Sequence, residues 1–315
     1  MSNVLVNKGY SPMRQFGVFL GVWGGCFILA NILGAFVMVL SGIKIENPDF
    51  MTDPANADTL RLVQVIATFF MFFLPAIVYA FICFKNGWLV LGFGRSSHWV
   101  LLGLSIFIIL ASMPLTDNLG ELNKAIPLPG SWRTLFDNME STYEEQVKAM
   151  VNVRTLPGLL TSILLVAVLP AVFEEVFFRG GLQGLLLRWL KSPVAAIVIS
   201  SLIFSAIHFS WYGFIPRFML GIVLGTVFYL TGNIWYTILM HFVNNLVAVL
   251  GLYYMHINNK EITLQDTSFF PWWSGLIALG IILVLLREFW KRRNTNLPDE
   301  IMDEYSNPFV NRLSR

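Results

Sequence analysis

The chain has 315 residues; 56% are hydrophobic, 13% are charged, and the formal net charge is +2. A soluble domain carries nearer a quarter charged residues, so this composition excludes an ordinary soluble enzyme. So small a net charge also argues against nucleic acid as a partner. Cys26 and Cys83 each lie in an apolar run and read as buried thiols rather than as a disulfide.

A short polar lead with Lys8 and Arg14 precedes the first apolar run, Phe16 to Leu40, which is too long for a signal-peptide core. A loop rich in acids follows, with Glu46, Asp49, Asp53 and Asp58. The second span is Leu62–Phe84 and the third Trp99–Leu115. The fourth begins near Leu156 and ends at Arg188 and Lys191; Pro193 opens the fifth, which reaches about Trp211. Ile215–Leu230, Ile234–Tyr254 and Trp272–Trp290 complete the set, closed by Lys291, Arg292 and Arg293. Roughly 20 residues at 1.5 Å each cross about 30 Å of hydrocarbon, and backbone groups in lipid must bond internally. The expected fold is therefore all-α, a polytopic membrane bundle of about eight transmembrane helices. Lys and Arg in the short segments fall on one side, which places both termini in the cytoplasm.

The organisation expected is in four parts. Residues 1–155 hold three spans and an outer loop, residues 156–254 a catalytic core, residues 255–293 the last span, and residues 294–315 a polar, disordered tail. In the long loop from Thr116 to Thr155, Trp132, Leu135, Phe136, Met139, Tyr143 and Val147 recur at steps of three and four. That spacing predicts an amphipathic helix at the outer interface, either packing on the bundle or gating a cavity.

The fourth span carries Glu174, Glu175 and Arg179 inside an apolar run. Ionisable groups at membrane depth are expensive and point to function. Glu175 and Arg179 are i and i+4 and can pair, which leaves Glu174 about 100° round the helix without a local partner. A carboxylate held so suits a general base. His208 on the fifth span, and His241 and Asn245 on the seventh, fall at similar depth, about 12 to 22 Å from the cytoplasmic ends of their helices. Glu174 and His208 can activate a water. His241 and Asn245, one turn apart, can offer N–H donors to an oxyanion. The reaction class is attack of water on a carbonyl without a covalent intermediate. No Ser or Cys has a nucleophile-elbow context and no H-E-x-x-H motif is present.

Three ordered motifs carry a resemblance: E-E-x-x-x-R at Glu174, Glu175 and Arg179, F-x-x-x-H at Phe204 and His208, and H-x-x-x-N at His241 and Asn245. Residues 156–254 thereby resemble the CAAX-protease and bacteriocin-processing (Abi) family of intramembrane glutamic endopeptidases. The resemblance implies an integral, multi-pass protein of the cell membrane that hydrolyses a peptide or membrane-protein substrate without a cofactor. It implies catalytic roles for Glu174, His208, His241 and Asn245, with Glu175 and Arg179 in support. The residues themselves leave other readings open. Glu174, His208 and His241 form a two-histidine, one-carboxylate set that suits zinc. A non-catalytic scaffold or immunity protein, or a proton-linked transporter, fits the same composition.

Overall fold

The computed structural model describes residues 7–43, 50, 54–94, 96–151, 154–258 and 270–292. The tail expected to be disordered, residues 294–315, lies outside the described residues, as do Glu46, Asp49 and Asp53 of the first loop. Among the described residues the structure is helical. The helices are α1 (Pro12–Leu40), α2 (Ala57–Cys83), α3 (Gly87–Val90), α4 (Trp99–Lys124), α5 (Gly130–Met150), α6 (Leu156–Leu190), α7 (Pro193–Ala206), α8 (Phe214–Thr231), α9 (Ile234–Ile257) and α10 (Ser274–Arg292). Six of them, α1, α2, α4, α6, α8 and α9, are long and apolar enough to cross a membrane.

The boundaries follow local chemistry. Ser192 caps α7 by accepting from the Ala195 amide at 3.3 Å, with Pro193 in the first turn. Gly232, at φ 55°, ends α8, and the Asn233 side chain caps α9 through the Trp235 amide at 3.0 Å.

Two expected boundaries move. The third span does not end at Leu115: α4 continues past Pro114 to Lys124. Polar composition there marks a junction rather than a helix end. Asp117 accepts from the Phe270 amide and Asn118 from the Gly275 amide, so these side chains tie α4 to the start of α10. The fifth span stops at Ala206, not Trp211. The His208 ring occupies the Phe204 carbonyl at 2.8 Å, the acceptor that the next helical amide would need, and Phe209 then turns the chain at φ 50°. At 14 residues, α7 spans only about 21 Å.

Helix α6 is the centre of the bundle and touches α1, α2, α7, α8 and α9. Its 35 residues would stretch about 52 Å, more than one bilayer. It opens into wide π turns at Ile163–Val168 and Val176–Gln183. The first lies just before Pro170, whose ring clashes with the carbonyl four residues back and offers it no N–H. Phe69–Phe73 opens the same way before Pro75 in α2.

Two apolar clusters flank α6. One is aromatic, built from Phe19, Phe72, Tyr79, Phe177, Phe178 and Phe204, all at most 7% exposed. The other joins α4, α8, α9 and α10 through Ile108, Leu224, Met240 and Phe289. The ionisable residues lie where the two meet. Gly225 of α8 permits close approach to α6: a Cβ there would lie 2.8 Å from Gln183 Oε1, and Gln183 Nε2 donates to the Gly225 carbonyl at 2.9 Å.

Candidate active site

Glu174 is 8% exposed, and its Oε2 has no hydrogen-bond partner among the described residues. The Nε2 atoms of His208 and His241 each lie 4.0 Å from that oxygen. This is too long for direct hydrogen bonds and leaves one small polar spot bounded by a carboxylate and two imidazoles. Three separate elements meet there: α6, the turn after α7, and α9. The far nitrogen of each ring is tied off. His208 Nδ1 faces the Phe204 carbonyl at 2.8 Å, and His241 Nδ1 faces Glu175 Oε1 at 3.0 Å. A carbonyl or a carboxylate can only accept, so both Nδ1 atoms carry hydrogen. In the neutral rings both Nε2 atoms therefore present lone pairs toward Glu174.

Glu175 does more than pair along its helix. Its Oε2 accepts from Arg179 Nε at 3.1 Å while its Oε1 holds His241, and both Glu175 and Arg179 are fully buried. One carboxylate thus offsets a buried guanidinium and orients an imidazole on another helix. The sequence showed the i, i+4 pair but not the bond to His241, because nothing local marks which face of α9 meets α6. Phe204, 1% exposed, is the packing centre of the site. Its ring lies 5.1 Å from the His208 ring, 5.8 Å from the His241 ring and 5.4 Å from the Arg179 guanidinium carbon.

Asn245 stands one turn from His241 on α9, and its hydrogen bonds run elsewhere. Its Nδ2 donates to the Val166 carbonyl at 3.2 Å, and its Oδ1 accepts from Asn244 at 3.2 Å. Val166 is four residues before Pro170, so Pro170 offers its carbonyl no helical donor. Asn245 supplies that donor from the neighbouring helix and keeps a second N–H. The Asn244 side chain thereby holds the Asn245 amide.

A zinc ion would need its donors about 2.0–2.2 Å away, which puts tetrahedral neighbours roughly 3.3 Å apart. The two oxygen–nitrogen separations of 4.0 Å are wider than that. Among the described residues, no group of three or more His, Cys, Asp and Glu is arranged to hold a metal ion.

Helix α5 packs on the turn that carries His208. Phe136 stacks on Trp211 at 4.7 Å, Glu140 accepts from the Ser210 hydroxyl at 2.7 Å, and Asp137 accepts from Tyr212. The Tyr143 ring lies under the Arg217 guanidinium at 5.3 Å. The Asp137 carboxylate, through that hydrogen bond, raises the Tyr212 phenol above its usual range.

One carboxylate without a hydrogen bond at Oε2 and two oriented imidazoles thus meet inside the helical bundle. Residues 156–247 match the family model for type II CAAX prenyl endopeptidase, Rce1-like. The matched segment runs from the start of α6 past Asn245 and takes in Glu174, Glu175, Arg179, His208, His241 and Asn245, but not α5. The resemblance to a CAAX-protease-like intramembrane endopeptidase therefore rests on the same part of the chain as the site. No curated protein and no solved structure matches the chain.

Proposed function

We propose that the chain is an intramembrane endopeptidase that hydrolyses a peptide bond with a water activated at Glu174. The observation that carries this reading is the pair of 4.0 Å separations from Glu174 Oε2 to the two Nε2 atoms. A water between these groups donates one hydrogen to Glu174 and the other to the lone pair of His208 Nε2. As water attacks the substrate carbonyl, Glu174 takes its proton and then delivers it to the leaving amine. Nδ1 of His241 already carries hydrogen, so His241 can donate to the oxyanion from Nε2 only as imidazolium. Glu175 supplies the counter-charge beside it. The N–H of Asn245 not used on Val166 is the second donor. Arg179 holds Glu175 in place and needs no contact with substrate. No cofactor enters this scheme. The protein is multi-pass, with both termini on the cytoplasmic side, and its substrate is a peptide or membrane protein reached within the bilayer.

The test is cleavage of a pool of apolar peptides by liposome-reconstituted protein in ¹⁸O-labelled water. Each new carboxyl end should carry one solvent oxygen. Intact peptides across the pool, or products without label, would count against hydrolysis by bound water.

A further inference from the structure

Glu174 and His241 stand on helices, but His208 does not. It lies in residues 207–213, the turn between α7 and α8, where Phe209 adopts φ 50°. Its Nε2 keeps its place 4.0 Å from Glu174 only if the backbone of this turn is fixed. Side chains of α5 reach side chains of the turn: Phe136 stacks on Trp211, and Glu140 accepts from the Ser210 hydroxyl.

The backbone of the turn is held from α4. Asn123, 0% exposed, lies in the last turn of that helix. Its Nδ2 donates to the Trp211 carbonyl at 2.9 Å, and its Oδ1 accepts from the Ile215 amide at 3.0 Å. One side chain thus joins the turn, three residues after His208, to the start of α8. The first amides of a helix have no partner within it, and Gly213, at the N-cap of α8, has no side chain to offer one. Asn123 supplies that acceptor from another helix. Close packing brings it there: a Cβ at Gly120, one turn earlier on α4, would lie 3.6 Å from Pro216 Cγ on α8. The two bonds need a donor and an acceptor side by side, which an amide carries and a carboxylate or an apolar group does not. Without them a buried carbonyl and a buried N–H are left unpaired, and the turn must shift to satisfy them. Asn123 also lies outside residues 156–247, in the part of the chain that the family model does not match.

We propose that Asn123 is a positioning residue: it fixes the turn that holds His208 Nε2 beside Glu174, and it acts on the reaction only through His208. The role of His208 comes from the endopeptidase reading, but the placement of its ring can be read without turnover. The probe is diethyl pyrocarbonate, which modifies the lone-pair nitrogen of a neutral histidine, with rates at each site taken by mass spectrometry on protein in nanodiscs. Asn123→Leu keeps a side chain of similar size and removes both bonds. In it His208 should be modified about five-fold or more faster than in wild type, while His241, tied to Glu175, stays within about two-fold. Asn123→Ala gives the same comparison if Asn123→Leu does not fold. A double-mutant cycle adds the kinetic arm. The substitution should slow single-turnover cleavage by about ten-fold or more in the wild-type background and by no more than about two-fold in His208→Ala. Unchanged modification of His208, or equal rises at His208 and His241, would overturn the assignment. So would a loss of rate that persists in full in His208→Ala. Selective exposure of His208 in protein that cleaves nothing would support the clamp while removing the endopeptidase reading, so the two fail separately.

Discussion

The two adjacent glutamates should separate cleanly when each is made neutral. Glu175 and Arg179 are both fully buried, and Glu175 is the carboxylate within 4.0 Å of that guanidinium. In Glu175→Gln the amide can still accept from His241 or Arg179, but the guanidinium charge is left without compensation. Removing one partner of a buried pair costs about 3–5 kcal/mol. At roughly 2–4 °C per kcal/mol for a chain of this size, that is a fall in Tm of about 10 °C. Glu174 is different. Its Oε2 makes no hydrogen bond with the described residues, so Glu174→Gln gives up little and removes a charge from an apolar interior. Its Tm should stay within about 2 °C of wild type or rise. Thermal melts followed by size-exclusion fluorescence in one detergent make the comparison. A Glu175→Gln protein as stable as wild type, beside a collapsed Glu174→Gln protein, would exchange the structural and catalytic roles assigned here.

Three further outcomes follow from single contacts. Asn245→Ala strips the Val166 carbonyl of its donor and should cost about 1–3 kcal/mol in chemical-denaturation stability; in a Pro170→Ala background, where the helix supplies that donor, the cost should shrink to a fraction of this. Phe209 sits at φ 50° with its ring 70% exposed, so Phe209→Gly should raise the melting temperature by relieving roughly 1 kcal/mol of backbone strain, and a fall would show that the ring has a packing role. The Tyr212 phenol titrates above its usual value because it donates to Asp137. A group whose folded value is raised contributes stability below its unfolded value, about 10, and loses it as pH climbs through the folded value. Protease sensitivity of α5 should therefore increase in that alkaline window, and Tyr212→Phe should remove the transition.

The candidate site was legible wherever polarity was out of place. Glu174, His208, His241 and Asn245 declared themselves because ionisable and amide groups are rare at membrane depth, and helical spacing alone paired Glu175 with Arg179. What stayed hidden depends on how helices face one another. Nothing in the sequence places Glu175 against His241, or sends the Asn245 amide to a carbonyl freed by Pro170. Span ends were read from composition, which stopped α4 at the polar Thr116–Asn118; the Asp117 and Asn118 side chains in fact anchor the start of α10. The length of α7 was overestimated because its end is set by a side chain, His208, that takes a backbone acceptor. The α5 stripe was visible as amphipathic, but the partners of Phe136 and Tyr143, which are Trp211 and Arg217, and those of the polar Glu140 and Asp137, which are Ser210 and Tyr212, lie some 70 residues away in sequence.

The most direct measurement is single-turnover cleavage of a membrane-embedded peptide by metal-stripped wild type and by Glu174→Gln. A water activated at Glu174 predicts that the stripped wild type keeps its rate while Glu174→Gln falls by about 10²-fold or more. A Glu174→Gln protein that cleaves at the wild-type rate would contradict the account, as would wild-type activity that vanishes with the metal and returns with zinc.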